Sequence, residues 1–198
     1  MSSDELRTAF ERELVCASGM ELEGDFARAL QTLENFWEIH RTEDQDGWLR
    51  SAVRFHQGDI LKDSGDLRGA LKAFRAVNAR PEDRPFYLLA AYCLARTLDE
   101  LGQAQEAFNE LTHRLGEAVG APGREDLGIV TLYVDLAARL GQDVPPRHRD
   151  LIRDVVRTWE IPLTDSESLN PERLLAAVTA ANERLREFAA NERHRLSQ

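Results

Sequence analysis

The chain has 198 residues, enough for one domain or one short repeat array with its own apolar core. A hydrophobic fraction of 42% and a charged fraction of 30% exclude an intrinsically disordered chain. The formal net charge of −10 argues against nonspecific binding to nucleic acid or to an anionic membrane.

The cysteines and the first residues predict a cytoplasmic protein. Cys16 and Cys93 are too few and too far apart for a disulfide framework or a zinc site, which favours a reducing compartment. The sequence starts Met-Ser-Ser-Asp-Glu, which is acidic and is not followed by the apolar core of a signal peptide. The longest uncharged run is much shorter than a membrane span.

Apolar residues recur at helical spacing along the whole chain, and Gly and Pro residues interrupt this pattern between the predicted helices. The pattern predicts helices at 3–22, 25–41, 48–63, 66–79, 85–101, 104–119, 125–140, 146–160 and 171–196. Residues 164–170 are polar and predict a linker, which divides the chain into a helical array at 1–163 and a C-terminal helix at 171–198.

The last predicted helix has the pattern of a cap at the end of a helical array. Asn170 followed by Pro171 is a favourable helix start. One apolar stripe runs along the helix, with Arg and Glu opposite, and it consists of Leu174, Leu175, Val178, Ala181, Leu185 and Phe188. Such a helix covers the array with its apolar face and turns its polar face to water.

A repeat is visible within the array. Three segments share a helix, a glycine and a second helix, with the glycines at Gly24, Gly65 and Gly102. A fourth glycine, Gly141, follows a matching first helix, and the spacings between the four are 41, 37 and 39 residues. A period of this size indicates one helix-turn-helix unit stacked several times along an axis.

Small residues recur at fixed distances from these glycines. Glycine suits the left-handed conformation in which many helices end, and Asp25 and Asp66 directly after it can cap the next helix. The small residues lie seven positions before and five after each glycine: Ala17 with Ala29, Gly58 with Ala70, and Ala95 with Ala107. They predict that the two helices of each hairpin approach closely.

These segments resemble tetratricopeptide repeats. That family places a small residue in the first helix, Gly at the turn, Ala early in the second helix and a large apolar residue four positions later, here Leu33, Phe74 and Leu111. The resemblance covers residues 10–119, and half a unit at 125–141. It implies an all-α, right-handed superhelix of stacked antiparallel hairpins, a TPR-like solenoid with a C-terminal capping helix. Because the period exceeds the family's 34 residues, we expect longer helices and a looser superhelix.

The residues needed for catalysis or metal binding do not occur in suitable patterns. The histidines are isolated from one another, and no Gly-x-Ser-x-Gly or phosphate-binding glycine motif is present. Acidic pairs such as Asp59 and Asp63 are common on solvated helices and are too few for a hard cation. We therefore expect no enzyme activity, no cofactor and no metal.

The resemblance also implies a binding surface, because the first helix of each tetratricopeptide hairpin lines a concave groove. By register from each glycine, the groove residues are Leu14, Ser18 and Glu21, then Phe55, Asp59 and Lys62, then Tyr92, Arg96 and Asp99, then Thr131, Asp135 and Ala138. Phe55 and Tyr92 recur at the same position. They are either docking aromatics beside Asp59 and Arg96 or buried between hairpins, and both alternatives stay open.

These observations predict a non-enzymatic scaffold or adaptor that binds a protein or peptide in the groove. The alternative is an immunity-type inhibitor that neutralises a basic toxin or enzyme, since opposite charge raises association rates. A basic partner suits the acidic chain in either case. Self-association into a homodimer, through the acidic first hairpin or the terminal helix, is a further possibility.

Overall fold

The computed structural model describes residues 2–44, 46–163 and 171–196. Within them the chain forms nine α-helices and contains no strand, as the sequence predicts. The helices are α1 (Ser3–Leu22), α2 (Phe26–His40), α3 (Trp48–Asp63), α4 (Leu67–Arg75), α5 (Arg84–Glu100), α6 (Ala104–Glu117), α7 (Leu127–Leu140), α8 (Pro146–Thr158) and α9 (Pro171–Leu196). A short 3₁₀ turn, Arg124–Asp126, precedes α7.

The chain folds as two compact units that meet in sequence between Arg80 and Pro81. The first unit contains α1 to α4, and the second contains α5 to α9. The predicted linker at 164–170 lies outside the described residues, so the predicted boundaries at 163 and 171 stay predictions.

In the first unit, α1 packs on α2, α2 on α3, and α3 on α4. Gly24 and Gly65 have φ values of +81° and +87°, as expected for the glycines that separate paired helices. The carboxylates of Asp25 and Asp66 accept hydrogen bonds from the amides of Arg28 (3.2 Å) and Gly69 (2.9 Å), which confirms both predicted caps.

The close approach predicted at the small residues is visible at Gly58 on α3. The ring of Phe74 on α4 lies so near that a Cβ atom at position 58 would be 2.5 Å from it. Ala70, one turn before Phe74, is completely buried. The absent side chain of Gly58 is therefore what allows α3 and α4 to pack together.

Helix α4 is shorter than predicted, ending at Arg75 instead of residue 79. The amides of Ala76 and Val77 bond to carbonyls three residues earlier, which tightens the last turn. The next amide, that of Asn78, donates to the Ser51 hydroxyl on α3 at 3.2 Å. This bond across the hairpin turns the chain away from the helix axis.

In the second unit, α5 packs on α6 and α7, α6 on α7, and α9 on α7 and α8. The paired small residues Ala95 and Ala107 are completely buried. Tyr133 of α7 stacks on Phe108 of α6, with centroids 5.0 Å apart, and its hydroxyl lies 2.9 Å from Nδ1 of buried His148 on α8. Burial lowers the pKa of His148 to about 4, so this histidine is a neutral core residue.

We expect Gly58→Ala to lower the free energy of unfolding by about 1–2 kcal/mol, because the new methyl group overlaps the Phe74 ring. Gly19→Ala on α1 is the matched control, since a Cβ there meets nothing within 4 Å. It should raise the free energy of unfolding by about 0.5–1 kcal/mol through helix propensity. Urea unfolding at low micromolar protein measures both, and equal changes in the two variants would contradict the close-contact argument.

Candidate protein-binding faces

The predicted groove residues lie on α1 and α3 in the first unit and on α5 and α7 in the second. Each unit therefore presents its own candidate face, built from the first helices of the hairpins. We name them by their helices: the α1–α3 face, and a second face that also receives α9.

Phe55 does not contribute to the surface of the α1–α3 face. Its side chain is 5% exposed and packs against the rings of Phe74 (5.8 Å) and His56 (5.3 Å). Of the two alternatives that the sequence leaves open, the buried one is correct for this residue. The reason is local: with no side chain at Gly58, Phe74 reaches across to α3 and covers Phe55.

Leu14 is half-buried and packs against the apolar core of the first unit, so little of it faces solvent. Ser18, one turn further along α1, is exposed. The surface of this face is therefore formed mainly by polar residues at the carboxyl ends of α1 and α3.

Three carboxylates gather at those helix ends: Glu21, Asp59 and Asp63. Burial, followed by a hydrogen bond shared with Asp63, raises the pKa of Glu21. Burial, followed by the charges of Asp63 and Glu21, raises the pKa of half-buried Asp59 to about 6, whereas Lys62 opposes the rise. The α1–α3 face thus concentrates negative charge that one adjacent lysine offsets only in part.

On the second unit, Tyr92 and Arg96 form a pair one helical turn apart on α5. Tyr92 is half-buried and Arg96 is exposed. The guanidinium of Arg96 lies 5.7 Å from the centre of the Tyr92 ring and donates a hydrogen bond to its hydroxyl at 3.2 Å. A Cβ at Gly128 on α7 would lie 3.9 Å from the same ring, so the α7 backbone passes beside it.

Ion pairs made by one arginine join α5 to α7 on the same surface. Arg139 of α7 donates to Asp99 of α5 at 2.6 Å and to Asp135, one turn earlier on α7, at 2.9 Å. The α5–α7 surface therefore carries two carboxylates that are paired with one guanidinium.

Helix α9 borders this surface through Thr131 of α7. The Thr131 hydroxyl accepts a hydrogen bond from the Asn182 amide of α9 at 2.8 Å and donates to the Leu127 carbonyl at 2.7 Å. We call the resulting surface the α5–α7–α9 face, and it comprises Tyr92, Arg96, Asp99, Gly128, Thr131, Asp135, Arg139 and Asn182. Ala138 is exposed on α7.

The sequence did not single out Arg139 or Asn182. Arg139 follows Asp135 at the helical i, i+4 spacing, which is a usable signal for an ion pair. Its bond to Asp99, 40 residues earlier, depends on how α5 and α7 pack and carries no local signal. Asn182 likewise becomes recognisable only once α9 is seen against α7.

A separate cleft of about 560 Å³ lies between α2, α3 and α4. Three of its polar residues satisfy one another: Gln57 accepts from Arg54 at 2.7 Å and donates to Glu34 at 2.9 Å. The remaining lining is mostly small or apolar, including Leu30 and Leu61. Because these polar groups are already paired, they do not point to a ligand.

The described residues contain no group of three or more His, Cys, Asp or Glu side chains placed to hold a metal ion. Across the same part of the chain, no helix combines the length and the apolar character needed to cross a membrane. Cys16 is exposed and Cys93 is half-buried, and neither forms a disulfide bond.

Comparison with solved structures identifies the fold. The chain superimposes on a variant form of a putative kinesin light chain from Podosopora anserina with nearly identical TPR-like repeats, with a TM-score of 0.58, 16% identity and 100% of both chains covered. A second structure of that putative kinesin light chain gives a TM-score of 0.56 and 17% identity over 88% of this chain and 95% of its own. No protein-family model and no curated protein matches the sequence.

The protein therefore has an all-α, TPR-like helical-repeat fold, which confirms the resemblance drawn from the glycines and small residues. Folds of this kind are generally used for protein–protein interaction. At 16–17% identity the likeness concerns the fold alone.

We expect Asp59→Asn to raise the free energy of unfolding by about 1–2 kcal/mol at pH 7.5, after allowance for solvent screening of a half-buried group. The folded pKa of about 6 lies above the usual 3.8, so ionised Asp59 destabilises the fold as pH rises through this window. The benefit of the substitution should fade as pH falls from 6 and be nearly absent at pH 4. Urea unfolding across this range measures it.

Asp143→Asn is the control, because Asp143 is an exposed acid outside the carboxylate cluster. It should change the free energy of unfolding by less than about 0.5 kcal/mol at every pH. A pH-independent effect of Asp59→Asn would contradict the assignment.

Proposed function

We propose that the protein is a non-enzymatic interaction scaffold that binds a protein or peptide partner, with the α5–α7–α9 face as its principal contact surface. The observation that supports this proposal is that five residues predicted from repeat register occur together on this face: Tyr92, Arg96, Asp99, Thr131 and Asp135. They come from two helices and are joined by the Asp99–Arg139 bond and by the Gly128–Tyr92 approach.

The chemistry of Tyr92 and Arg96 suits an interaction anchor. Tyrosine and arginine are enriched among residues that dominate protein-binding energy. Here the ring is partly packed against α7 and the guanidinium is held over it, so both side chains lose less freedom when a partner binds. The ion pairs of Arg139 with Asp99 and Asp135 place further charged groups beside them.

The α1–α3 face supports the further proposal that the partner carries a basic segment. Burial first, and then repulsion among Glu21, Asp59 and Asp63, raises the pKa values of Glu21 and Asp59 there. An incoming lysine or arginine would relieve this repulsion, and the net charge of −10 would steer a basic protein toward the chain. The described faces offer no feature that favours a toxin inhibitor over a scaffold. We propose that the protein acts in the cytoplasm, on the basis of its sparse cysteines.

We expect Tyr92→Ala and Arg96→Ala each to weaken partner binding about 10- to 100-fold, the range for anchor residues. Partners are first recovered from source-cell extract on the immobilised wild-type chain and identified by mass spectrometry. Their affinities for the purified variants are then measured by calorimetry. Circular dichroism checks that each variant keeps its helices.

Arg68→Ala is the matched control, since Arg68 is an exposed arginine on α4 outside both faces. Its affinity for the same partner should stay within about twofold of wild type. Equal affinity of wild type, Tyr92→Ala and Arg96→Ala for every recovered partner would refute the α5–α7–α9 face as the contact surface.

A further inference from the structure

Helix α1 leaves one side uncovered in the first unit. Its inward side holds Leu6, Phe10 and Ala17, all buried. The opposite side carries Val15, 74% exposed, and Leu22, 90% exposed. These two residues are seven positions apart and therefore lie two turns apart on the same stripe of the helix.

The exposed pair belongs to a continuous strip that we call the outer stripe of α1: Thr8, Arg12, Val15, Gly19, Leu22 and Glu23. A Cβ at Gly19 would meet nothing within 4 Å, so the middle of the strip is open and carries no side chain. Single exposed apolar residues are ordinary on protein surfaces. Val15 and Leu22, with only Gly19 between them on the strip, instead form a shallow apolar surface on which another helix can pack.

The outer stripe is complementary to itself. If two copies of α1 run antiparallel about a two-fold axis beside residues 18 and 19, Val15 of each copy faces Leu22 of the other. Gly19 then lies at the crossing and lets the helices come close. The same geometry brings Arg12 of each copy beside Glu23 of the other, on the same edge of the contact and twice by symmetry.

Arg12 and Glu23 are available for this pairing. Both side chains are exposed, and among residues 2–44, 46–163 and 171–196 the structure records no ion pair for either. An apolar centre flanked by two opposite-charge pairs is the usual composition of a helix–helix interface.

We propose that the outer stripe of α1 is a homodimer interface, in which α1 packs antiparallel against α1 of a second copy of this chain. Three turns of helix on each side bury an area at the small end of specific interfaces. The dimer should accordingly be reversible, with a dissociation constant on the order of 10–100 µM. The surface is distinct from the α5–α7–α9 face, so the two proposals are tested by different residues.

The first test is sedimentation equilibrium of the full chain from about 1 to 500 µM. The wild type should shift from monomer to dimer, and Val15→Glu and Leu22→Glu should each raise the dissociation constant at least about 30-fold by burying a charge in the apolar centre. Ile39→Glu is the control: Ile39 is 71% exposed on α2, outside the stripe, and its replacement should leave the dimer unchanged. A wild type that stays monomeric, or a dimer that survives Val15→Glu, overturns the proposal.

A charge exchange tests the antiparallel register. Arg12→Glu and Glu23→Arg should each weaken the dimer about fivefold, because each places two like charges together. The double variant restores opposite charges in reversed order and should return to within about twofold of wild type. Additive weakening in the double variant would rule out the predicted pairing.

Cross-linking tests the position of the two-fold axis without depending on stability. With Cys16 and Cys93 replaced by Ser, Gly19→Cys should form a covalent dimer on mild oxidation, since the two copies of position 19 face each other beside the axis. Thr8→Cys should not, because its copies would be roughly 30 Å apart at a rise of 1.5 Å per residue. Equal cross-linking at both positions would overturn the arrangement.

Discussion

The structure depends on the close approach of the two helices in each hairpin. Where the helices cross beside a turn glycine, the facing residues are small, and Ala29, Ala70, Ala95 and Ala107 have no exposed surface. Gly58 is the extreme case, because the Phe74 ring occupies the space that a side chain would need. This spacing decides which residues of each first helix turn inward and which remain for recognition.

Most of the fold was predictable because its signals are local. A turn glycine, the capping aspartate after it and two small residues lie within about a dozen positions of one another, so a single sequence displays them together. The end of α4 was not predictable in the same way. It depends on the hydrogen bond that the Asn78 amide donates to the Ser51 hydroxyl, 27 residues earlier in the chain. No local sequence pattern near residue 78 predicts this bond.

The candidate site likewise has features that local sequence predicts and features that depend on the packing of neighbouring helices. Repeat register predicts that Tyr92, Arg96 and Asp99 share one side of α5, because a helix keeps its own periodicity. It could not decide the position of Phe55, because that depends on the neighbouring helix: Phe74 covers Phe55 only where Gly58 leaves room. Burial of an aromatic at a repeated position is a property of the pair of helices rather than of the repeat.

One buried ion pair bears directly on the α5–α7–α9 face. Arg84, at the start of α5, donates to Asp126 at 2.7 Å and 3.2 Å, and the Gly123 amide donates to the same carboxylate oxygen at 3.1 Å. Asp126 is 2% exposed and directly precedes α7. The charges of such a pair cost desolvation energy that offsets much of their attraction, whereas removing one partner alone is strongly destabilising. The pair fixes where α7 begins relative to α5, and hence the distance at which Arg139 meets Asp99 forty residues before it.

The outer stripe of α1 and the α5–α7–α9 face share no residue and differ in chemistry. The first has an apolar centre with one charge pair at each end, whereas the second is mostly polar, with ion pairs and hydrogen bonds around one aromatic ring. A polar face gains little from burial alone, so a single copy should hold its partner with moderate affinity. A dimer formed through α1 would carry two such faces, and a partner with two matching segments would bind the second at a high effective concentration. Modest self-association would then strengthen recognition without any new contact at the face itself.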